Sequence, residues 1–280
     1  MPAIATTRKR QAARRGSAAP GSSQSLQKAL RILLHVGRNG PELGITRLAS
    51  ALSLNKTTVY RLLNAMEKFE LIEKNPDTER YRLGLKLHEL GTQAVESRTL
   101  RTEVRRFLRE MSRRSHEAVS LAVATVDGVV CLDRVDSPHT IISVRTPIGS
   151  RFPAHCTAIG KAVLAYLPQE EVESILSKEG LPRFTAATLT RMRDLEKNLR
   201  QIRARGYSLD KQELERGLSG VAAPVLTRAG RLVGAVGIAG PTLRFRGKEL
   251  AQKIALAQEI AAKVSEHLRG HASWIESGRE

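Results

Sequence analysis

Aromatic side chains are scarce in this chain, 4% of 280 residues with a single Trp. Binding of single-stranded nucleic acid by stacking bases on aromatic platforms is therefore disfavoured. Cysteine is scarcer still, two residues in all, Cys131 and Cys156. That number excludes a disulfide framework and points to a reducing, cytoplasmic setting with two buried or half-buried thiols. No apolar run approaches the roughly 18 residues that a membrane helix needs, so no membrane partner is expected. The N-terminus has charges but no apolar segment behind them, so it does not read as a secretory signal. Acidic residues are in short supply as well. Against 46 Lys and Arg stand 28 Asp and Glu, a formal net charge of +18 and a pI near 10.6. An excess of that size favours a polyanionic partner, nucleic acid or an acidic surface.

The charge is unevenly spread. Residues 1–24 hold Arg8, Lys9, Arg10, Arg14 and Arg15 among Ala, Ser, Gly and Pro, with no acid. They read as a disordered basic tail, either an arm along DNA phosphates or a solvated leader without a role. Residues 25–90 hold 11 basic and 7 acidic residues, and the remainder 30 and 21. Much of the later excess sits in "ESRTLRTEVRRFLREMSRRS", where Arg98, Arg101, Arg105, Arg106, Arg109, Arg113 and Arg114 fall on one predicted helix. It is a solvated face, or a helix held near DNA or an acidic surface.

The first region reads as three short helices and a hairpin. "QSLQKALRILLHVG" places Leu26, Leu30, Leu33 and Leu34 on one face, with Gly37 as a stop. In "GITRLASALSL", Thr46 is the expected cap and Leu48, Ala49 and Leu52 the inner face. After a tight turn at Ser53-Leu54, Asn55 is positioned to cap a third helix. Val59, Leu62, Leu63 and Met66 recur at helical spacing as its inner stripe. The front of that helix then carries Lys56, Thr57, Thr58, Tyr60, Arg61 and Asn64. This is the helix-turn-helix arrangement, whose second helix enters the major groove. Short Thr and Asn side chains allow close approach. Arg61 suits a guanine edge or a phosphate, and Asn64 suits adenine. Thr57, Thr58 and the first-turn amides suit a phosphate. "LIEKNPDTERYRLG" follows as strand, turn and strand. Tyr81 and Leu83 are expected to return to the core, with Arg80 and Arg82 pointing outward on a wing.

From Ala118 onward the texture is that of an α+β domain with a largely antiparallel sheet. "AVSLAVATV" and "VVCLDRV" flank Asp127-Gly128, a hairpin signal, and "IISVR" reads as a third strand. Helices follow near Ala158–Tyr166, Gln169–Lys178 and Met192–Arg205. Strands resume at "GYSL", "GVAAPVL" and "RLVGAVGIA", and a last helix runs from about Lys248 to Leu268.

These segments resemble the IclR family of bacterial transcriptional regulators. The likeness rests on "GITRLASALSLNKTTVYRLLNAME", "RTPIGSRFPAHCTAIGKAVLAYLP", "RARGYSLDKQELERGLSGVAAPV" and "GAVGIAGP", in that order. It implies an α+β chain with an N-terminal winged helix-turn-helix and a C-terminal GAF-like effector-binding domain. The expected layout is a tail over 1–24, the DNA-binding domain over 25–84, a linker helix over 85–104, the effector domain over 105–270 and a C-terminal tail over 271–280. It also implies a homodimer or dimer of dimers on double-stranded operator DNA, a small organic-acid effector, and an effect on operator affinity or RNA polymerase recruitment.

The expected effector site has two parts. Thr157, Ala158 and Gly160 open the helix in "HCTAIGKAVLAYLP", where free amides attract an anion and Gly160 leaves room for a ligand. A nucleotide loop is excluded there. His155 stands where a P-loop needs Gly, and Ala162 follows Lys161. By resemblance, Asp210, Gly220, Val221, Gly237 and Ala239 complete the site. Family members that bind small keto acids often have Cys and Ser where this chain has Gly220, Gly237 and Ala239. The change implies more space and a more apolar ligand, an aromatic or longer-chain carboxylic acid. Ser120, Ala122 and Ala124 alternate on one strand face and either widen the same cavity or pack a helix. Asp210 alternatively caps a turn. His155 and Cys156 lack convergent partners, so no metal and no cofactor is expected. No nucleophile–base pair or paired carboxylates emerge, so an enzyme is a lesser alternative, as is a DNA-coating architectural protein.

Overall fold

The computed structural model describes residues 23–96, 100–137 and 146–269, in two compact units that divide between Ser97 and Arg98. The basic tail before Ser23, the "IISVR" strand and the C-terminal tail lie outside the described residues.

The first unit contains α1 (Gln24–Arg38), α2 (Ile45–Leu52), α3 (Lys56–Glu67), β1 (Ile72–Lys74), β2 (Tyr81–Leu83) and α4 (Lys86–Glu96). Ser23 caps α1, so the helix begins inside the stretch expected as tail. The buried face of α1 is Ile32 and Val36, with Ala29 and Leu33 packed beside them. Leu26, Leu30 and Leu34 are 59%, 48% and 51% exposed, which corrects the expected inner face. Two apolar stripes overlap on this helix at Leu33, and the β-branched one faces the core. Thr46 lies inside the first turn of α2, and Gly44 occupies the cap position. Ser53 adopts φ 54°, the left-handed conformation that ends α2 and sets up the tight turn. Asn55 then caps α3, its Oδ1 accepting the Thr58 amide at 2.7 Å, a bond typically worth about 1 kcal/mol. Val59, Leu62, Leu63 and Met66 are all buried.

The second unit begins with α5 (Leu100–Ser115), so the segment expected as one linker helix contains α4 and the first turn of α5. Then come β3 (Ala118–Thr125), β4 (Gly128–Val135), the two-residue β5 (Arg151–Phe152), α6 (Ala158–Leu164), α7 (Gln169–Glu179) and α8 (Met192–Arg205). The chain continues with β6 (Ser208–Lys211), β7 (Leu218–Leu226), β8 (Leu232–Pro241), a 3-10 turn at Thr242–Arg244 and α9 (Gly247–Arg269). The six strands form one antiparallel sheet in the order β5-β4-β3-β8-β7-β6. The hairpin at Val126-Asp127 joins β3 to β4, with Gly128 at φ 136°.

Strand alternation sorts the sheet into two layers. Val119, Leu121, Val221, Ala223, Val225, Val236 and Ile238 pack with α5 and α9. Ala122, Cys131, Ala222 and Ala235 pack with the α6, α7 and α8 layer. The floor beneath α6 is thus built of small residues, which lets the helix lie close to the sheet. All seven residues of α6 are buried.

Candidate functional site

The front of α3 carries the side chains expected to meet DNA. Lys56, Thr57, Tyr60 and Arg61 are exposed, while Thr58 and Asn64 are half-buried at the edges of that face. The Thr58 amide is already taken by Asn55, so it is not available to a phosphate. Arg61 has no ion pair among the described residues. The wing beside it is pinned by hydrogen bonds. Asn75 Oδ1 accepts from the amides of Asp77 and Thr78 at 2.9 and 3.3 Å. Glu42 accepts from Asn75 Nδ2 at 2.6 Å and from the Thr78 hydroxyl at 2.8 Å, and these bonds hold its carboxyl below its ordinary value. Arg80 and Arg82 do point outward, and Arg82 leans on Glu73 at 3.1 Å. Tyr81 is buried, but Leu83 is 42% exposed, so only one of the two expected anchors reaches the core. The residue after Leu83 explains this. Gly84 is the buried one, and its amide bonds the Leu71 carbonyl at 3.0 Å.

The basic helix α5 behaves differently. Arg105 donates both to Oδ1 and to Oδ2 of Asp133, at 2.7 and 3.0 Å, and Arg101 approaches the same carboxylate at 3.5 Å. Asp133 is fully buried. Arg106 lies over Phe107 and contacts His267, which in turn bonds Glu103. Arg114 bridges Glu110 and Glu259. Four of its arginines are thus held by groups within the same unit.

In the second unit a cavity opens between the start of α6 and the sheet. Of the expected effector residues, Thr157, Ala158, Asp210, Gly220, Val221, Gly237 and Ala239 line it, and so does Ser120. Gly160 does not. A Cβ on Gly160 would stand 2.6 Å from the Ala154 carbonyl oxygen and 2.5 Å from the Thr157 hydroxyl. The glycine therefore serves close packing of the helix start on the preceding chain, which corrects the reading of it as room for a ligand. The Thr157 hydroxyl is fully engaged, accepting the Gly160 amide at 3.0 Å and donating to the Pro153 carbonyl at 2.8 Å. Val221 borders the cavity, but its side chain belongs to the opposite layer with Val119 and Ile238. Gly220 and Gly237 also open less space than expected. A Cβ on either would come within 3.4 Å of Ala158 or Ile159 of α6. Ala122 and Ala124 pack the α6 layer, and of that alternating trio only Ser120 reaches the cavity.

Asp210 is 5% exposed. Burial pushes its carboxyl up to about 7; the amides of Glu213 and Leu214 pull it down, as does the Lys161 charge, while the Glu213 charge raises it. Its Oδ1 accepts the Glu213 amide at 2.7 Å, so the residue shapes a turn and faces the cavity at once. Below it, Lys161 is completely buried and bonds Glu213 at 2.5 Å. Cys156 lies nearby with its thiol pushed up to about 12, chiefly by burial, and Cys131 is raised to about 11 for the same reason. Neither thiol is poised as a thiolate nucleophile. His155 turns its Nε2 to the Pro182 carbonyl at 3.0 Å. Among the described residues, no group of three or more His, Cys, Asp and Glu is arranged to hold a metal ion. No described helix is long and apolar enough to cross a membrane.

Several cavity residues were not anticipated, and one of them is a cation. It is Arg134 of β4, which lines the cavity together with Asp210. Simple alternation hides it, since Arg134 falls on the same strand face as Cys131 only through a shift in register between Leu121 and Ala122.

Comparison with known proteins bears on both units. Residues 25–76 match the IclR helix-turn-helix domain, and residues 92–266 match the bacterial transcriptional regulator IclR C-terminal domain. The HTH-type transcriptional regulator KdgR of Escherichia coli is 34% identical over 252 residues, covering 90% of this chain and 95% of that one. An IclR transcriptional regulator from Alicyclobacillus acidocaldarius superposes with a TM-score of 0.75 at 25% identity, over 88% of this chain and 99% of that one. An IclR homolog from Microbacterium hydrocarbonoxydans, solved in complex with 4-hydroxybenzoate, superposes with a TM-score of 0.73 at 23% identity, over 88% and 99%. With both units matched in order along one chain, this chain belongs to the IclR family of bacterial transcriptional regulators.

Proposed function

We propose that the second unit senses an aromatic or longer-chain carboxylic acid and that the acid changes the grip of the first unit on operator DNA. The observation that carries the ligand class is the size of the cavity. It offers about 60 Å³ to the centres of water molecules. One water needs roughly 10–15 Å³ in that measure and about 30 Å³ of liquid, so the space corresponds to roughly four to six waters, or about 120–180 Å³ of liquid. That is the scale of one monocyclic aromatic acid or a six-carbon chain. A two-carbon acid would leave most of it to water. Phe152, Ile159, Leu214 and Leu218 supply an apolar lining for such a body.

On the DNA side, Lys56, Thr57, Thr58, Tyr60, Arg61 and Asn64 are the proposed groove-facing set, with Asn55 fixing the start of the helix and Arg80 and Arg82 on the flanking backbone. Arg61 and Asn64 read base edges, and the others position the helix. The unit works as a homodimer or a dimer of dimers on two half-sites, a reading supported by the exposed Leu26, Leu30 and Leu34 stripe. Where the operator lies next to a promoter, RNA polymerase is the further partner. The acid is bound and released unchanged, in keeping with the two protonated thiols.

The test is binding to DNA upstream of the protein's own gene against equal-length random DNA at physiological salt, with and without a panel of carboxylic acids that includes 4-hydroxybenzoate. A preference of about a thousandfold is expected, altered by one acid through a coupling of about 1–3 kcal/mol. Equal binding to both DNAs, indifferent to every acid, would instead favour an architectural protein. Chemical conversion of the acid would reveal an enzyme.

A further inference from the structure

The effector cavity contains a cation with unused hydrogen-bonding capacity. Arg134 sits opposite Ser120 on β3, and the same cross-strand row continues through Gly237 of β8 and Ala222 of β7. This row faces α6. The Arg134 side chain is only 10% exposed. Burying a guanidinium is unfavourable unless an anion and hydrogen bonds accompany it. Its Nε donates to Oδ1 of Asp136 at 2.7 Å. Nη2 stands 2.6 Å from the same oxygen but off the line of its N–H bonds, and it has no hydrogen-bond partner among the described residues. Asp136 is itself 63% exposed, so water competes for it. The result is a buried fork of donors satisfied on one side, by a carboxylate that is free to turn outward.

The other polar side chains nearby are less suited to an incoming acid. Lys161 is held by Glu213 and does not line the cavity. The Thr157 hydroxyl is engaged on both sides. Asp210 is a carboxyl and lies four strand spacings from β4 in the sheet order, roughly 19 Å between backbones. Arg134 and Asp210 therefore reach the lining from well-separated strands of the sheet. A planar guanidinium with free N–H groups is the side chain best matched to a carboxylate.

We propose that Arg134 is the anchor for the effector's carboxylate, so that the acid group lies at β4 and the body of the molecule extends along the glycine floor toward β6. This rests on the effector reading above. It adds a direction to the ligand and a requirement for negative charge at one end. Asp136 is the counterion in the empty site, and the incoming carboxylate displaces it toward water.

The test uses the full-length protein and direct calorimetric titration. The probes are 4-hydroxybenzoate, hexanoate and 2-oxohexanoate, each against its own carboxamide. Arg134→Gln is expected to weaken the acids at least tenfold and to leave the carboxamides within twofold of wild type. Arg134→Lys is expected to recover part of the loss. Asp136→Asn, which removes the competing anion, is expected to tighten the acids severalfold. It decides the matter if Arg134→Gln does not fold, as read from thermal unfolding. Acid affinity unchanged in Arg134→Gln, equal losses for acid and amide, or weaker acid binding in Asp136→Asn would overturn the anchor while leaving the effector reading intact. Failure of every acid to bind the wild type would overturn the effector reading and the anchor with it.

Discussion

Helices α3 and α5 are both short, amphipathic and rich in side chains that bind anions, yet their arginines have opposite fates. On α5 the guanidinium groups of Arg101, Arg105, Arg106 and Arg114 close onto Asp133, His267, Glu110 and Glu259. On α3, Arg61 stands exposed beside Thr57 and Tyr60 with no ion pair among the described residues. A basic helix is thus no evidence of a nucleic-acid surface until the carboxylates of its own unit have been placed. Buried carboxylates divide in a similar way. Asp133 gathers guanidinium groups, while Asp210 has amides and a shared neighbourhood with Glu213.

The contrast between the two carboxylates gives the largest expected effect. The folded Asp210 carboxyl titrates near 7 against 3.8 for the ordinary group. The native state keeps a proton that the unfolded chain releases, so this contribution is present below about pH 4 and is lost as pH rises to about 7. Linkage sets an upper bound of about 4 kcal/mol on that loss. Urea unfolding followed from pH 4 to 8 should show stability falling across that window, and Asp210→Asn should flatten the fall. An unaltered pH profile in that variant would place the titrating group elsewhere. Next in size, Asp133→Ala should destabilise the second unit by about 3 kcal/mol. That is the low end for a broken buried pair, because its guanidinium partners are 32% and 39% exposed and reach water. Operator preference should stay intact, and a lost preference would mean that α5 is not the structural helix described.

Arg61→Ala tests the other side of the comparison. It should cost about 1–3 kcal/mol of specific operator affinity, with stability unchanged within about 0.5 kcal/mol. A retained preference for operator over random DNA would reduce Arg61 to a phosphate contact. The smallest effect separates α5 from the wing. Arg80→Ala should lower the slope of log affinity against log salt by about one unit, whereas Arg105→Ala should leave it unchanged. Equal changes in the two slopes would erase the distinction.

The legibility of these features follows the range of the interactions behind them. The α3 stripe of Val59, Leu62, Leu63 and Met66 and the Asn55 cap are local patterns, and the sequence reading located them correctly. The hairpin expected at Asp127-Gly128 forms one residue earlier, at Val126-Asp127, and the helix over Met192–Arg205 was equally plain. On α1 a leucine stripe outweighed the β-branched Ile32 and Val36, so the wrong face was assigned to the core. The two residues of β5 carry too little pattern to be read as a strand. In the cavity, glycines were legible as positions but not as causes. Whether Gly160 or Gly220 makes room for a ligand or for a helix depends on what lies opposite, which no local pattern records. Arg134 was missed because strand alternation in β4 has meaning only once its register with β3 is known.

The close seating of α6 on an alanine and glycine floor bears on how such a protein can change its specificity over generations. Enlarging Gly160 would press a Cβ to 2.6 Å from the Ala154 carbonyl oxygen and unseat the helix, whereas at Gly220 and Gly237 the nearest neighbours stand at 3.2 and 3.3 Å and need yield only slightly. Positions at the margin, such as half-buried Leu214 and Thr146, border the same space without lying beneath the helix. New chemical tastes in this lineage are therefore expected to arise from free exchange at the rim and small exchanges on the floor, with the Gly160 hinge of helix and chain inherited unchanged.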